Sequence, residues 1–228
     1  MQAYTVYQWA SRPATRHTPR QLARAAGILY LVTHVTSVAA VAAYGAGLIP
    51  AGVTLEFALA VGCAGTGVLL WHLLSADGRV RAATFALLRT VEASVIIAGT
   101  LPMLAMMWTP TMSGPLSAAA TAMHTASFLV GQGLVISVNT IVLGWLLWDS
   151  RVVPRPLAAL GVGGGLVVLA SNLCQLWGLI PLGGPAAGAA AIPVFAFELW
   201  LAIRLIARGL RTPNEAADEA ANAAELRR

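Results

Sequence analysis

The chain has 228 residues, of which 58% are hydrophobic and only 10% are charged, and its mean hydropathy is +0.75. These values exclude an ordinary soluble domain and indicate an integral membrane protein. The net charge is +5, and the chain has fourteen arginines and no lysine. The absence of lysine excludes Schiff-base and P-loop chemistry. The arginines form no basic helix that would bind nucleic acid.

The chain divides into three parts by polarity. Residues 1–21 are polar and contain Pro13 and Pro19, so they are predicted to be a cytoplasmic N-terminal segment. Residues 22–210 are predicted to form a six-helix transmembrane domain, and residues 211–228 a cytoplasmic polar tail. The expected fold class is therefore an all-α, polytopic membrane helix bundle.

Six apolar stretches predict the transmembrane helices. The first covers residues 22–44, and at about 1.5 Å per residue it is long enough to cross a hydrocarbon core of roughly 30 Å. The breaks between stretches contain proline, glycine or aspartate, which favour turns. The other stretches lie at residues 53–74, 82–107, 126–148, 157–179 and 190–210.

The arginines predict the orientation of these helices, because positive residues near helix ends favour the cytoplasmic side. Apart from Arg89, they lie at or before the start of helix one, at or beyond the end of helix six, and in the loops between helices two and three and between four and five. The other three loops contain none. Both termini are therefore expected in the cytoplasm, and the protein in the cytoplasmic (inner) membrane.

Several short motifs resemble a known family. They are residues 24–31 (RAAGILYL), the pair Arg89 and Glu92, residues 143–148, residues 154–161, and residues 198–200 (ELW). They resemble small six-pass bacterial membrane proteins, common in actinobacteria, that are known as a domain of unknown function. This resemblance implies the same fold and no activity. In size, helix number and content of acids and tryptophans, the chain is also similar to bacterial membrane-bound terpene cyclases of indole-sesquiterpenoid pathways, from which no catalytic residue carries over.

Two ionisable residues lie deep inside the third predicted helix. Glu92 is roughly 15 Å from the cytoplasmic end of that helix, and Arg89 is one turn shallower. Their i,i+3 spacing puts both on one face, where they can form a structural ion pair that makes the arginine tolerable. In the alternative interpretation, Arg89 positions or tunes a working carboxylate.

Glu198 lies about 12 Å from the outer end of the sixth predicted helix, where no basic residue is expected to pair with it. A carboxyl in apolar surroundings keeps its proton, because burial disfavours the charged form. Glu92 and Glu198 are therefore the candidate catalytic acids. Glu56, near the start of the second helix, is instead predicted to be a helix cap.

Six further residues are candidates for substrate binding, because they are polar or aromatic and lie within or beside the predicted helices. Tyr30 and Trp200 offer aromatic faces that can stabilise a cation. Hydrogen bonding between helices remains an alternative role for the polar candidates. The histidines lie at different depths, so no haem, no other cofactor and no metal site is expected. The six candidates are Tyr30, His34, Arg89, Asn172, Trp177 and Trp200.

The candidate residues favour proton-initiated chemistry. A neutral buried acid, an apolar pocket and aromatic faces are what an enzyme needs to protonate an isoprenoid alkene or epoxide and shelter the carbocation. No aspartate lies inside a predicted helix, which excludes a Ser-His-Asp hydrolase and an aspartate cluster for magnesium-assisted diphosphate departure. The sequence therefore predicts a membrane-embedded type II terpene cyclase for a prenylated lipophilic substrate, with the lipid bilayer as its surroundings.

Two other functions stay open. A proton-coupled small-molecule transporter would use the two glutamates to bind and release protons, and residues 22–107 and 126–210 would then form an inverted repeat of three plus three helices. A non-catalytic membrane module would bind a lipid or a protein through its helices or its acidic tail. The sequence also leaves a homo-oligomer open.

Overall fold

The computed structural model describes residues 18–109 and 111–211, in which every regular element is a helix. The expectations for the N-terminal segment and the polar tail fall almost wholly outside these residues. A π-helical segment (Leu129–Val135) joins the third helix to the fourth. The helices are α1 (Pro19–Gly45), α2 (Ile49–Trp108), α3 (Pro115–Phe128), α4 (Ile136–Ser150), α5 (Arg155–Leu176) and α6 (Pro185–Ala207).

Five helices in the described part of the chain are long and apolar enough to cross a membrane. They are α1, α2, the continuous helix Pro115–Ser150, α5 and α6. Large apolar side chains such as Val35, Phe57, Leu87 and Ile203 are exposed on their outer faces, as expected for surfaces in contact with lipid. These features confirm the prediction of an all-helical, multi-pass membrane protein embedded in a lipid bilayer.

α2 is 60 residues long and folds back on itself at Gly78, whose backbone (φ −178°, ψ 75°) leaves the helical region. Side chains on either side of this residue meet in symmetric pairs. Arg89 donates hydrogen bonds of 3.1 and 3.2 Å to Thr66 Oγ1, and the Cys63 thiol contacts Glu92 Oε1 at 3.6 Å. α2 therefore consists of two antiparallel arms, residues 49–77 and 79–108.

The helix boundaries follow from local chemistry. Thr18 caps α1: its side chain accepts a hydrogen bond from Gln21 N, and Thr18 N donates to Gln21 Oε1 at 2.9 Å. Proline stands in the first turn of α1, α2, α3, α5 and α6, where its missing N–H removes no helical hydrogen bond. Gly178, with φ 68°, follows α5 in the left-handed conformation that commonly ends a helix.

Arginine side chains join helix ends at one side of the bundle. Arg81 forms an ion pair with Asp149 at the end of α4, and its guanidinium carbon lies 5.4 Å from the ring centroid of Trp145. At the same end, Arg24 Nε donates to Ile206 O at 3.3 Å, which links α1 to α6. We call this the arginine end. The opposite, arginine-free end contains the connections at residues 46–48, 109–114 and 177–184.

Side chains pack most densely in the half of the bundle near the arginine end. Tyr30, Phe85 and Leu201 belong to one apolar core there and are each about 1% exposed. α1 and α6 approach closely at Gly27, where a Cβ atom would come within 2.6 Å of Ala202 O. Only glycine fits this contact. The helices diverge beyond it, and the space between them forms a cavity.

Candidate functional site

A cavity of about 380 Å³ extends from the middle of the bundle towards the arginine-free end. Its wall is built by α1, both arms of α2, the end of α3, the π-helical segment, α4, α5 and α6. The volume falls within the roughly 300–1,000 Å³ typical of small-molecule sites. Ionisable side chains meet at the deep end of the cavity, and the rest of the wall is apolar or uncharged. The ionisable residues are His34, Arg89, Glu92 and Glu198.

Arg89 is the centre of this cluster and is only 1% exposed. Its Nη1 donates to both carboxylate oxygens of Glu92, at 3.0 and 3.3 Å, while Nε and Nη2 donate to Thr66 Oγ1. Its guanidinium carbon also lies 5.4 Å from the ring centroid of Tyr30, within cation–π range. These contacts confirm the i,i+3 ion pair predicted from the sequence.

Glu92 is held from three sides. Besides Arg89, the Asn139 amide donates to Oε2 at 2.7 Å, and the Cys63 thiol contacts Oε1 at 3.6 Å. Hydrogen bonds from charged and polar donors favour the ionised form of a carboxylate. Three neighbours therefore fix the position of the Glu92 carboxyl.

Glu198 is not isolated, and the expectation that no basic residue reaches it is wrong. Its Oε1 lies 3.9 Å from Arg89 Nη1, and its Oε2 lies 3.6 Å from His34 Nε2. The physical reason is the length of the arginine side chain, which spans the difference in depth between the two backbone positions. Among residues 18–109 and 111–211, no donor hydrogen-bonds to Glu198 as Arg89 and Asn139 do to Glu92, so the Glu198 carboxyl is the less constrained of the two.

His34 faces Glu198 with one defined ring nitrogen. Its Nδ1 lies 2.8 Å from Tyr30 O, a carbonyl oxygen that can only accept, so Nδ1 carries a hydrogen. In the neutral imidazole, Nε2 is then an acceptor directed at the Glu198 carboxyl. The ring also packs edge-on against Phe195, with centroids 4.5 Å apart. His34 Nε2 and the Glu198 carboxyl therefore lie side by side at the deep end of the cavity.

The charges at the deep end balance only with one added proton. Arg89 contributes +1 and the ionised Glu92 and Glu198 contribute −2, which leaves −1 while His34 is neutral. A net charge buried among apolar helices is unfavourable. One proton held within the cluster of His34, Glu92 and Glu198 removes it.

The cavity opens on the side of the bundle between α1 and α6. Val38 is 63% exposed and Phe195 47% exposed, and both line the cavity, as do the exposed Gly188 and Ala191. These positions lie within the apolar helices, so this side of the cavity faces the lipid, while the exposed Leu182 and Gly183 extend its wall into the connection between α5 and α6.

The comparisons with known proteins identify the family. Residues 25–209 match the family described as a domain of unknown function (DUF4386). The chain belongs to this family. No curated protein and no solved structure matches it. The match includes every ionisable residue of the cavity, so the cluster around Arg89 lies wholly within the DUF4386 domain.

In this DUF4386 protein the predicted site residues separate into two groups. Tyr30 packs behind Arg89 and does not line the cavity, and Trp177 and Trp200, at 77% and 42% exposure, lie outside it. Trp200 is about 200° around the helix from Glu198, so it faces the other side of α6. The predicted residues that line the cavity are His34, Arg89, Glu92, Asn172 and Glu198.

Other cavity residues were not anticipated as parts of a site. Phe195 precedes Glu198 by three positions, so helical spacing alone places it on the same face, and this signal was available in the sequence. Phe128 and Gln132 lie at and within the π-helical segment, whose extra residue per turn changes which side chains face inward. Hydrophobic patterns give no sign of a π-helix, so these residues could not be found in advance.

A third buried carboxylate of this DUF4386 protein lies outside the cavity wall. Glu56 accepts a hydrogen bond from the Tyr44 hydroxyl at 2.8 Å, and its Oε1 lies 3.0 Å from His124 Nε2. The prediction that Glu56 caps α2 is wrong, because the helix begins seven residues earlier with no side-chain cap. Glu56 instead ties α1, α2 and α3 together near the arginine-free end.

Proposed function

We propose that the protein is a membrane-embedded type II terpene cyclase, which protonates a prenylated lipophilic substrate and shelters the carbocation that results. One observation carries the proposal: His34 Nε2 and Glu198 Oε2 lie 3.6 Å apart at the deep end of an apolar cavity, where a proton on this pair would meet a bound substrate. Glu198 is the proton donor. Of the two acids predicted from the sequence, it has the longer contact with Arg89, 3.9 Å against 3.0 Å for Glu92.

The cavity wall suits a hydrocarbon chain and a carbocation. Leu59, Val168 and Val194 line it and are buried, so they exclude the water that would otherwise capture a cation. Phe128 and Phe195 also line it and provide aromatic faces, which attract cations most strongly when water is excluded. These two residues replace Tyr30 and Trp200 as the proposed cation stabilisers.

The proposed reaction is an isomerisation. Glu198 gives its proton to one carbon of an alkene, whose π electron pair forms the new C–H bond and leaves the other carbon as a cation. With an epoxide, the proton goes to oxygen, the C–O electron pair moves to that oxygen, and its carbon becomes the cation. A second alkene of the chain attacks this cation and closes a ring. A carbon next to the final cation then loses a proton to the Glu198 carboxylate, which restores the acid. Glu92 stays ionised throughout, and its negative charge stabilises the nearby cation.

Turnover of farnesylated aromatic substrates and their epoxides by the protein in nanodiscs tests this proposal. We expect cyclic products of unchanged mass, and we expect Glu198→Gln to lose about 100-fold or more of the rate, the usual effect of removing a general acid. Glu56→Gln is the matched control, since it removes a buried carboxylate that does not line the cavity. Equal turnover by the Glu198→Gln variant and the unsubstituted protein rejects Glu198 as the acid.

A proton-coupled transporter is the second candidate. The observation in its favour is that the cavity wall continues through Leu182 and Gly183 into the connection at the arginine-free end. A transported molecule would enter and leave the cavity from the water at that end, and the His34–Glu198 pair would gain or lose its proton in the same cycle. Substrate-dependent proton uptake into proteoliposomes supports this function, and uptake without any isomerised product excludes the cyclase.

The non-catalytic binding module of the sequence analysis is tested by deleting residues 212–228, which leaves both cavity functions intact.

The topology that accompanies this function has six spans, with both termini in the cytoplasm and the protein in the inner membrane. Each arm of α2 contains about 30 residues, or roughly 45 Å of helix, so each is long enough to cross a bilayer alone. Positive charge favours the cytoplasmic side, which assigns the arginine end to the cytoplasm. The lipid-facing opening then lies in the outer half of the membrane.

A further inference from the structure

The cavity has a second polar region, separate from the ionisable cluster. Three of its residues belong to α5, where Ser171 and Gln175 are one helical turn apart and Asn172 lies beside them. The fourth is Gln132 in the π-helical segment. We call these four residues the amide strip. It contains no charged side chain, in contrast to the deep end of the cavity.

Several hydrogen-bonding groups of the amide strip have no protein partner. The Ser171 hydroxyl oxygen is buried and makes no hydrogen bond within residues 18–109 and 111–211. This is unusual, because helical serines ordinarily donate to a carbonyl one turn earlier, as Ser137 does to Gly133 O. Gln132 Oε1 accepts from Ser37, while its amide nitrogen donates to no atom of the described chain. A donor and an acceptor are therefore left for a ligand.

The remaining amides are held in place by their neighbours. Gln175 Nε2 donates to Asn172 Oδ1 at 3.0 Å, and Gln175 Oε1 accepts from Gly183 N at 2.9 Å. Gly133 makes room for Asn172, because a Cβ atom there would lie 3.0 Å from Asn172 Oδ1. The π-helical segment thus brings Gln132 and the glycine towards α5. π-Helical turns of this kind occur frequently at functional sites.

We propose that the amide strip binds the uncharged, hydrogen-bonding head of the lipophilic substrate, such as a hydroxyl, an amide or a heteroaromatic N–H. The hydrocarbon tail then runs through the apolar part of the cavity towards Glu198. Free donors and acceptors without a counter-charge select a neutral head, because a phosphate, carboxylate or ammonium group would be desolvated without an ion partner. That this ligand is the substrate of a cyclase rests on the proposed function. Binding of a neutral head at the amide strip does not depend on it.

Binding of a series of probes with the same C15 isoprenoid skeleton tests the head-group preference. The probes are farnesol, farnesoic acid and the saturated hydrocarbon farnesane, each titrated against the full chain in nanodiscs. We expect farnesol to bind about tenfold or more tightly than the other two, since only it can use the free groups without burying a charge. Equal affinity of farnesane and farnesol, or no binding of farnesol, overturns the proposal, and this series needs no variant to fold.

Two variants identify the residues responsible. Ser171→Ala and Gln132→Leu are each expected to lower the affinity for farnesol by about five- to tenfold and leave that for farnesane unchanged. Ser94→Ala is the matched control, because Ser94 is exposed and donates to Thr90 O far from the strip. Loss of affinity for both probes alike, or no loss in either variant, contradicts the assignment.

The outcome is distinguishable from failure of the cyclase proposal. Glu198→Gln leaves the amide strip unchanged, so it is expected to keep the preference for farnesol while losing turnover. If the unsubstituted protein shows the preference but forms no product, the binding proposal stands and the cyclase proposal fails. If product forms without any preference among the heads, the binding proposal fails alone.

Discussion

The buried pair Arg89–Glu92 makes a quantitative prediction about stability. Arg89→Met removes the guanidinium that donates two hydrogen bonds to Glu92 and two to Thr66, all within a site that is 1–2% exposed. Removing one partner of a buried pair leaves an uncompensated charge and costs about 3–5 kcal/mol. We therefore expect Arg89→Met to lower the free energy of unfolding by about 3 kcal/mol or more. Unfolding in mixed micelles, followed by tryptophan fluorescence, measures this change.

Two comparisons separate the effect of burial from that of charge alone. Arg81→Met breaks an ion pair with Asp149 whose side chains are 30% and 45% exposed, so it is expected to cost about 1 kcal/mol or less. The double variant Arg89→Met with Glu92→Leu removes both charges and is expected to recover much of the lost stability, because an apolar replacement of a buried pair is often neutral. If Arg89→Met costs no more than Arg81→Met, the cluster is not buried in the folded protein.

Two further predictions concern access and topology. Gly188→Leu is expected to lower kcat/KM severalfold, because a side chain there would fill the lipid-facing opening, where a Cβ atom has open space around it. Gly163→Leu is the control: its position is equally open but does not line the cavity, so no effect is expected. For topology, Ser113→Cys is expected to react with a membrane-impermeant maleimide on intact cells. Ala76→Cys is expected to react only after the membrane is opened. Labelling of the unsubstituted chain gives the background signal for both variants. The reverse labelling pattern would place the arginine end outside.

The sequence was sufficient for those features that depend on one helix at a time. Apolar length predicted the membrane helices, the break near Gly78 marks where α2 folds back, and the i,i+3 spacing of Arg89 and Glu92 predicted their contact. Helical geometry could also have excluded Trp200, which lies on the opposite side of α6 from Glu198, and could have selected Phe195. These positions follow from periodicity without knowledge of any neighbour.

Features that depend on how helices pack against one another were not predictable. Arg89 reaches Glu198 because its long side chain extends across the cavity towards α6, and counting depth along two separate helices cannot show this. Glu56 likewise meets His124 across 68 residues. The amide strip required both the π-helical segment and its contact with α5. Sequence spacing identified the reactive residue types, and tertiary packing determined their partners.

The most direct test of the central claim, a proton delivered by Glu198, is turnover of an alkene substrate in D₂O, because deuterium delivered to carbon stays in the product whereas deuterium delivered to an epoxide oxygen exchanges with solvent. Exchange of the His34–Glu198 proton with solvent loads the pair with deuterium, one deuterium enters the substrate, and one hydrogen leaves it as the final alkene forms. The account predicts a product one mass unit heavier than that formed in H₂O, and it predicts that this product disappears in Glu198→Gln but not in Glu56→Gln. A product without deuterium, or one formed equally well by Glu198→Gln, contradicts the account.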